Sequence, residues 1–252
     1  ETVTDRVILT LNEQVDVLLL VDTTESMTAP LASIDAAMAP FWSALTAEGA
    51  SVHLGVLTMD MEDDAGRLLA MLTESDAAPS LPLADSTATE QGLDALLTAL
   101  SEPLLSTENA GFRREDVPLS VVVFSDEDDD SDLKLETVSA WLTSEEATVH
   151  AMVEARKPEQ ACQTEPGARY LDLMDATGGR FISVCSEDAD APLAELARTI
   201  LGISATFPLS ASPDSADSIA VTKNGEAVPQ DLDDGWTLDA TDATITLHGS
   251  AA

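Results

Sequence analysis

Three short stretches of the 252-residue chain gather side chains that could hold a hard cation. The first is Asp22-Thr23-Thr24-Glu25-Ser26, the second Asp85-Ser86-Thr87-Ala88-Thr89-Glu90, and the third Ser125-Asp126-Glu127-Asp128-Asp129-Asp130. They supply carboxylates and hydroxyls, without histidine or cysteine. Oxygen donors of this kind suit Mg2+, Mn2+ or Ca2+, because a pair of carboxylates with several hydroxyls or waters completes an octahedral shell. A single Asp-Thr-Thr more often caps a helix, since Asp, Ser and Thr satisfy the first free amides. Three such stretches on strand and helix ends point further.

The elements that must position them are legible from hydrophobic periodicity. Continuous apolar runs at 15–21, 52–57, 121–124, 148–153 and 181–184 suit strands covered on both faces, as in parallel sheets. Helical patterns lie between them at about 30–48, 89–101, 133–142, 168–177 and 190–202, and Pro40 is expected to kink or divide the first. Alternation of strand and helix predicts an α/β fold, a doubly wound, mostly parallel sheet flanked by helices. In such sheets ligands bind outside the carboxyl ends of the strands, where the oxygen-rich stretches fall. Beyond Ser204 the texture changes to short alternating segments, with Asn224-Gly225 as a hairpin signal. The expected organisation is an opening strand over 1–13, pairing with the C-terminal segment, an α/β domain over 14–203, and a small β-rich extension over 204–252.

Composition excludes several functions. Asp plus Glu number 47 against 11 Lys plus Arg, a formal net charge of −36. Phosphate contacts need clustered cations, and the only tight basic pairs are Arg113-Arg114 and Arg156-Lys157, so nucleic acid is not an expected partner. The same field repels anionic lipid, attracts divalent cations and argues for a monomer. Hydrophobic content of 44% separates the chain from acidic disordered tails. No apolar run approaches the ~18 residues of a membrane span. The chain opens on Glu1 without an initiator Met, as expected after removal of a signal or anchor, or after trimming. Cys162 and Cys185 belong to no CxxC or Cys/His cluster, which argues against structural zinc. They leave a disulfide, buried thiols or a catalytic thiol open.

The segment VLLLVDTTES resembles the Asp-x-Ser-x-Ser motif that follows a buried strand in von Willebrand factor type A (VWA) domains, the first part of their metal-ion-dependent adhesion site (MIDAS). VVVFSDEDDD is similar to that fold's later strand with its metal-site aspartate, and STATEQGLDALLTAL to the segment that supplies a threonine at a helix start. The resemblance covers about residues 14–203. It implies metal ligation by Asp22, Thr24 and Ser26, by Thr87 with Thr89 as competitor, and by Asp126. It also implies an open coordination position filled by a partner's carboxylate, without turnover. Thr87-x-x-Glu90 has the form of a capping box, which predicts helix entry at Thr87.

HLGVLTMDMEDDAGRL and the cysteines flanking YLDLMDATGGRFISVC are similar to bacterial surface or lipoprotein-type members. An extracytoplasmic setting, secreted, periplasmic or on the cell surface, follows from that likeness and favours a Cys162–Cys185 disulfide. Two departures stand out: Thr24 replaces the first serine, keeping a hydroxyl, and Glu127 replaces a glycine. Glu127 and Asp128 could help hold a second ion, Ca2+, although charge runs are usually solvated faces. Asp60 is expected to support a ligand or cap a turn. His53, His150 and His248 are expected to be packing residues, as are Trp42, Trp141 and Trp236. The expected partner is a protein presenting an acidic side chain, or a surface glycan. The enzymatic rival is an aspartate-dependent phosphohydrolase of the haloacid-dehalogenase type, whose second acid is here Thr24. A cytosolic chelatase-type VWA subunit is the remaining alternative.

Overall fold

Seven of the eight residues of the first strand are buried, and Val17 to Val21 are each fully shielded from solvent. With period-2 alternation, this is possible only for a strand covered on both faces. The computed structural model describes residues 3–6, 11–47, 49–156, 165–186, 188–203, 206–211, 213, 215–232, 234–239 and 243–247. It divides into two units, residues 12–201 and residues 1–11 with 202–252.

In the larger unit the elements run β1 (Gln14–Val21), α1 (Thr28–Thr46), β2 (Ser51–Thr58), β3 (Ala70–Thr73), α2 (Gly92–Ala99) and β4 (Leu119–Phe124). They continue as α3 (Leu135–Ser144), β5 (Ala147–Val153), α4 (Ala168–Thr177), β6 (Phe181–Ser183) and α5 (Asp190–Ile200). The six strands form one sheet in the order β3-β2-β1-β4-β5-β6, parallel except for β3, which runs antiparallel to β2 at the edge. Leu18 and Leu20 of β1, Val121 and Val123 of β4, and Val149 of β5 pack with Leu93 of α2, Val138 of α3 and Leu171 of α4. On the other side of the chain's pleat, α1 packs against α5. The fold is therefore the expected doubly wound α/β sheet. Its winding reverses between β1 and β4, which makes the crevice at their carboxyl ends the switch point of the topology.

Pro40 sits inside α1 without dividing it. The carbonyl that loses its hydrogen bond is that of Ala36, which is exposed to water, while Phe41, Trp42 and Leu45 hold the following turn in the core. The amino end of the sheet is fixed by Asp16, which is fully buried. Arg113 reaches it at 3.0 Å and Arg114 at 2.8 Å, and the Arg114 amide donates to it as well. The basic pair that looked too small for a nucleic-acid track is thus an internal clamp. Arg156, from the second basic pair, engages Asp172 and Asp175.

The smaller unit holds an antiparallel sheet of β10 (Trp236–Asp239), β11 (Thr244–Leu247) and β7 (Thr206–Pro208), and a hairpin of β8 (Val221–Lys223) with β9 (Glu226–Val228). Asn224 and Gly225 both have positive φ, 55° and 88°, as a type I′ turn demands. Trp236 is buried and donates from Nε1 to the Val228 carbonyl at 3.1 Å. Of the opening segment, described residues 3–6 form no strand, and the Ser210 amide donates to Asp5 at 3.2 Å; residues 7–10 lie outside the described residues. Among the described residues no helix is long and apolar enough to cross a membrane.

Candidate metal centre

Seven carboxylates are buried among the described residues: Asp16, Asp22, Asp60, Glu90, Asp126, Asp129 and Glu154. Asp16 has its two arginines at the amino end of the sheet. The other six follow strands or precede α2, on the carboxyl side. Burying a carboxylate is costly unless a cation or several donors compensate it, so the partners of each of these groups decide what the site can do.

Asp22 follows β1, and its amide donates to the Phe124 carbonyl at 2.9 Å, which locks the β1 and β4 tips side by side. Its Oδ1 accepts from the Thr24 amide at 2.9 Å and from Thr24 Oγ1 at 2.6 Å, and its Oδ2 accepts from Ser125 Oγ at 2.7 Å. Ser26 Oγ donates to Asp126 Oδ1 at 3.1 Å, and the Thr24 and Ser26 hydroxyl oxygens lie 3.0 Å apart. Asp22, Thr24, Ser26 and Asp126 therefore form one continuous chain of oxygens across the crevice. With each hydroxyl proton committed to a carboxylate, none remains to bridge Thr24 and Ser26. That electron-rich contact is one a cation would relieve. Burial first, then the charge of Asp22, pushes the Asp126 carboxyl above its ordinary range.

The second loop reaches the same place through Ser86. Its amide donates to the Thr23 carbonyl at 2.9 Å, in a parallel bridge between Ser86 and Thr24. Ser86 Oγ donates to Asp60 Oδ2 at 2.8 Å, while Asp60 Oδ1 accepts the Glu62 and Asp63 amides, each at 2.9 Å. Asp60 thus caps the turn after β2 and braces the second loop. Burial raises its carboxyl, but hydrogen bonds from Asp63, Ser86 and Glu62 leave it below its ordinary value. A shallow cleft is lined by Asp22, Thr24, Asp60, Ser86, Thr89 and Glu90. Both candidate threonines are exposed; Thr89 lines this cleft and Thr87 lies outside it.

The expected helix entry at Thr87 does not occur. α2 begins at Gly92 with Gln91 as N-cap, and Gln91 contributes no side-chain bond. The reason is tertiary: Asp129 Oδ1 accepts the Leu93 amide at 2.9 Å and Ser131 Oγ accepts the Asp94 amide at 3.0 Å, so another loop caps the helix. Gly92 is required there by close approach, because a Cβ would meet the buried Tyr170 hydroxyl at 2.4 Å and Met59 Sδ at 3.2 Å.

The acidic run after β4 is mostly structural. Asp129 is paired with Arg169 at 3.1 Å, and Asp128 accepts the Arg169 amide at the start of α4 at 2.8 Å. Glu127 is half-buried, and burial together with Asp126, Asp22, Glu165 and Asp130 raises its carboxyl. Among the described residues no three His, Cys, Asp or Glu side chains meet in metal-binding geometry, and nothing in the run singles out a second ion. The candidate centre is a mixed set in which hydroxyls supply half the donors.

Sequence reasoning missed Glu90 as a site residue. It is only 7% exposed, and burial followed by the charges of Asp22, Glu127 and Asp130 raises its carboxyl to about 7. In the sequence it reads as half of a capping box, which gives no hint of this. His150 is buried and accepts the Arg180 amide on Nδ1, and His53 bonds the Phe112 carbonyl, both in packing roles. His248 and Cys162 lie outside the described residues, and with Cys162 the expected Cys162–Cys185 pairing.

The chain matches no protein-family model and no curated protein. Among solved structures it is similar to proximal thread matrix protein 1 from the mussel byssus, at 10% identity over 78% of this chain and 48% of that one, with a TM-score of 0.46. The form of that protein with zinc in its MIDAS motif matches at 12% identity over 76% and 47%, with a TM-score of 0.47. The ArnB paralog VWA2 from Sulfolobus acidocaldarius matches at 14% identity over 76% and 46%, with a TM-score of 0.43. This chain spans about half the length of these proteins. Its fold is assigned from its own strand order and register, which place the oxygen chain at the switch point of a doubly wound sheet.

Proposed function

We propose that this chain is a non-catalytic, metal-dependent binding module of the VWA kind, carried by a bacterial secreted or cell-surface protein. The observation that carries the reading is the oxygen chain Asp22–Thr24–Ser26–Asp126 at the switch point, where two buried carboxylates have no basic partner among the described residues. Its donors fit a hard divalent cation, Mg2+, Ca2+ or Mn2+. Asp22, Thr24, Ser26 and Asp126 would hold it, with Thr89 the one of the two candidate threonines that lines the cleft. When bound, such an ion supplies Lewis-acid attraction for an oxygen donor of the partner.

The protein's part is positioning. Ser125 orients Asp22, Ser26 orients Asp126, and the hydroxyls of Thr24 and Ser26 add donors without adding charge, so the centre keeps attraction for an incoming acid. The partner is a protein presenting an acidic side chain on an otherwise neutral or basic surface, since a net charge of −36 repels an acidic one. The position two residues after Asp22 is Thr24, which deprives a phosphotransfer mechanism of its second acid.

The test is calorimetric titration of the chain with Mg2+, Mn2+ and Ca2+, beside Asp22→Ala and Asp126→Ala. Saturable one-site binding is expected in the wild type and its loss in both variants, with circular dichroism unchanged. Wild-type binding that survives in both variants, or turnover of an aryl phosphate that requires Asp22, overturns the proposal.

A further inference from the structure

We propose that Asp60 is a positioning residue of the metal centre: through Ser86 it fixes the place at which the second loop presents Thr89, and so sets how firmly the crevice holds its cation. This rests on the reading of Asp22 and Asp126 as metal ligands.

The second loop needs such a support. Residues 74–91 form neither helix nor strand, apart from the single bridge between Ser86 and Thr24. A loop of this kind delivers a ligand well only if its freedom is lost on folding, since ordering it at the moment of binding subtracts from the affinity. Two pins hold the stretch around Thr89. On one side the Gln91 amide donates to the Met59 carbonyl at 3.2 Å. On the other the Ser86 amide donates to the Thr23 carbonyl at 2.9 Å, and Ser86 Oγ donates to Asp60 Oδ2 at 2.8 Å while accepting the Ala88 amide at 3.1 Å. The Ser86 hydroxyl is thus the joint between the end of β2 and the turn that leads into Thr89, and the backbone bond beside it ties the same residue to the first loop.

Asp60 is the fixed end of that joint. It is buried, its Oδ1 accepts the Glu62 and Asp63 amides at 2.9 Å, and its carbonyl accepts the Asp64 and Ala65 amides at 3.2 and 3.3 Å. Both carboxylate oxygens are engaged by donors, so burial of this acid is compensated without a cation. What Asp60 offers the cleft is a rigid acceptor for Ser86. Outer partners of this sort govern metal affinity by orienting the groups that do touch the ion.

The test uses the full chain with Ser86→Ala, Asp60→Ala, Asp60→Asn and the Asp60→Ala/Ser86→Ala double variant, with Asp22→Ala as reference. Affinities for Mg2+, Mn2+ and Ca2+ are read by calorimetry, and the order of the loop by amide hydrogen exchange over residues 84–91 in EDTA. Ser86→Ala removes the joint from the loop side and leaves the turn after β2 untouched. Expected in Ser86→Ala and in Asp60→Ala are metal affinities roughly tenfold weaker, with faster exchange over 84–91 and unchanged exchange in β1 and β4. The double variant is expected to bind within about twofold of Asp60→Ala, because both substitutions cut the same bond. Asp60→Asn keeps an oxygen for the two turn amides and an amide donor for Ser86 Oγ, so it is expected within about twofold of wild type. Losses that add, or an Asp60→Asn variant as weak as Asp60→Ala, overturn the proposal and make Asp60 a ligand. Weaker binding without faster exchange overturns it as well. Wild-type affinity in Ser86→Ala, with binding lost in Asp22→Ala, overturns the positioning role and leaves the metal centre standing. Absence of binding in the wild type overturns both readings.

Discussion

Replacing Asp129 with alanine removes more than a surface charge, because this side chain closes the α2 amino terminus and anchors Arg169 at once. Its Oδ1 takes the Leu93 amide at 2.9 Å and the Ser131 hydroxyl at 2.8 Å, and its Oδ2 pairs with Arg169 at 3.1 Å. The Asp129 side chain is fully buried, so the freed Leu93 amide stays without water and costs about 1–3 kcal/mol. Arg169 is 28% exposed and can turn outward, so the ion pair adds less than the ~3–5 kcal/mol of a fully buried pair that loses one partner. A total near 3 kcal/mol follows. For a unit of this size that lowers the melting temperature by roughly 6–12 °C. Asp129→Asn keeps an oxygen for Leu93 and loses only the charge, so about half the effect is expected. Urea unfolding followed by far-ultraviolet circular dichroism reads the right unit, because the five α-helices of the described residues lie between residues 12 and 201. An Asp129→Ala variant within ~0.5 kcal/mol of wild type, or an asparagine variant as damaged as the alanine one, would refute the capping account.

Two further outcomes are expected. His150 is buried, and desolvation first, then Arg180, holds its pKa at about 4, below its ordinary 6.5. The unfolded chain therefore binds a proton that the folded one refuses, so the stability this neutral ring contributes is complete above pH 6.5 and is lost as pH falls toward 4, by up to about 3 kcal/mol. His150→Asn should flatten that part of the urea-midpoint profile between pH 7 and pH 4.5, and an unchanged slope would exclude the assignment. Gly92→Ala drives a methyl against the Tyr170 hydroxyl and Met59, and is expected to cost about 1–3 kcal/mol in urea unfolding; an unaltered midpoint would show that Tyr170 moves freely.

Much of the fold is written in short-range pattern. Strands β1, β2, β4 and β5 are apolar runs that suit a doubly covered sheet, β6 falls within its marked apolar run although it is a partly exposed edge strand, and α4 spans the residues its periodicity marks, Ala168–Thr177. β3 is absent from the sequence reading because Ala70–Thr73 is a four-residue, partly exposed edge strand with no alternation of its own. Helix α2 starts later than Thr87-x-x-Glu90 suggests because its caps come from Asp129 and Ser131, far along the chain. The two aspartates of the acidic run that cap helices, Asp128 and Asp129, and the two that do not, Asp126 and Asp130, have the same local sequence signature. Asp16 carried a readable signal: a lone acid inside a buried strand requires a cation, and Arg113-Arg114 was the one paired source in the larger unit's interior. Glu90 carried none, since its meaning lies in the company it keeps after folding.

The ion pairs of Arg113, Arg114, Arg156, Arg169, Arg180 and Arg198 have a consequence for how the molecule behaves in solution. Most of the few positive groups are spent tying one segment of this chain to another, so the exterior is left as a polyanion. Such a macro-ion gathers a diffuse cloud of counterions whose thickness shrinks as ionic strength rises. Its mobility in an electric field, its retention on anion exchangers and its resistance to clumping should all vary steeply with salt. Loosely condensed divalent cations in that cloud would be enriched near the chain relative to bulk solution.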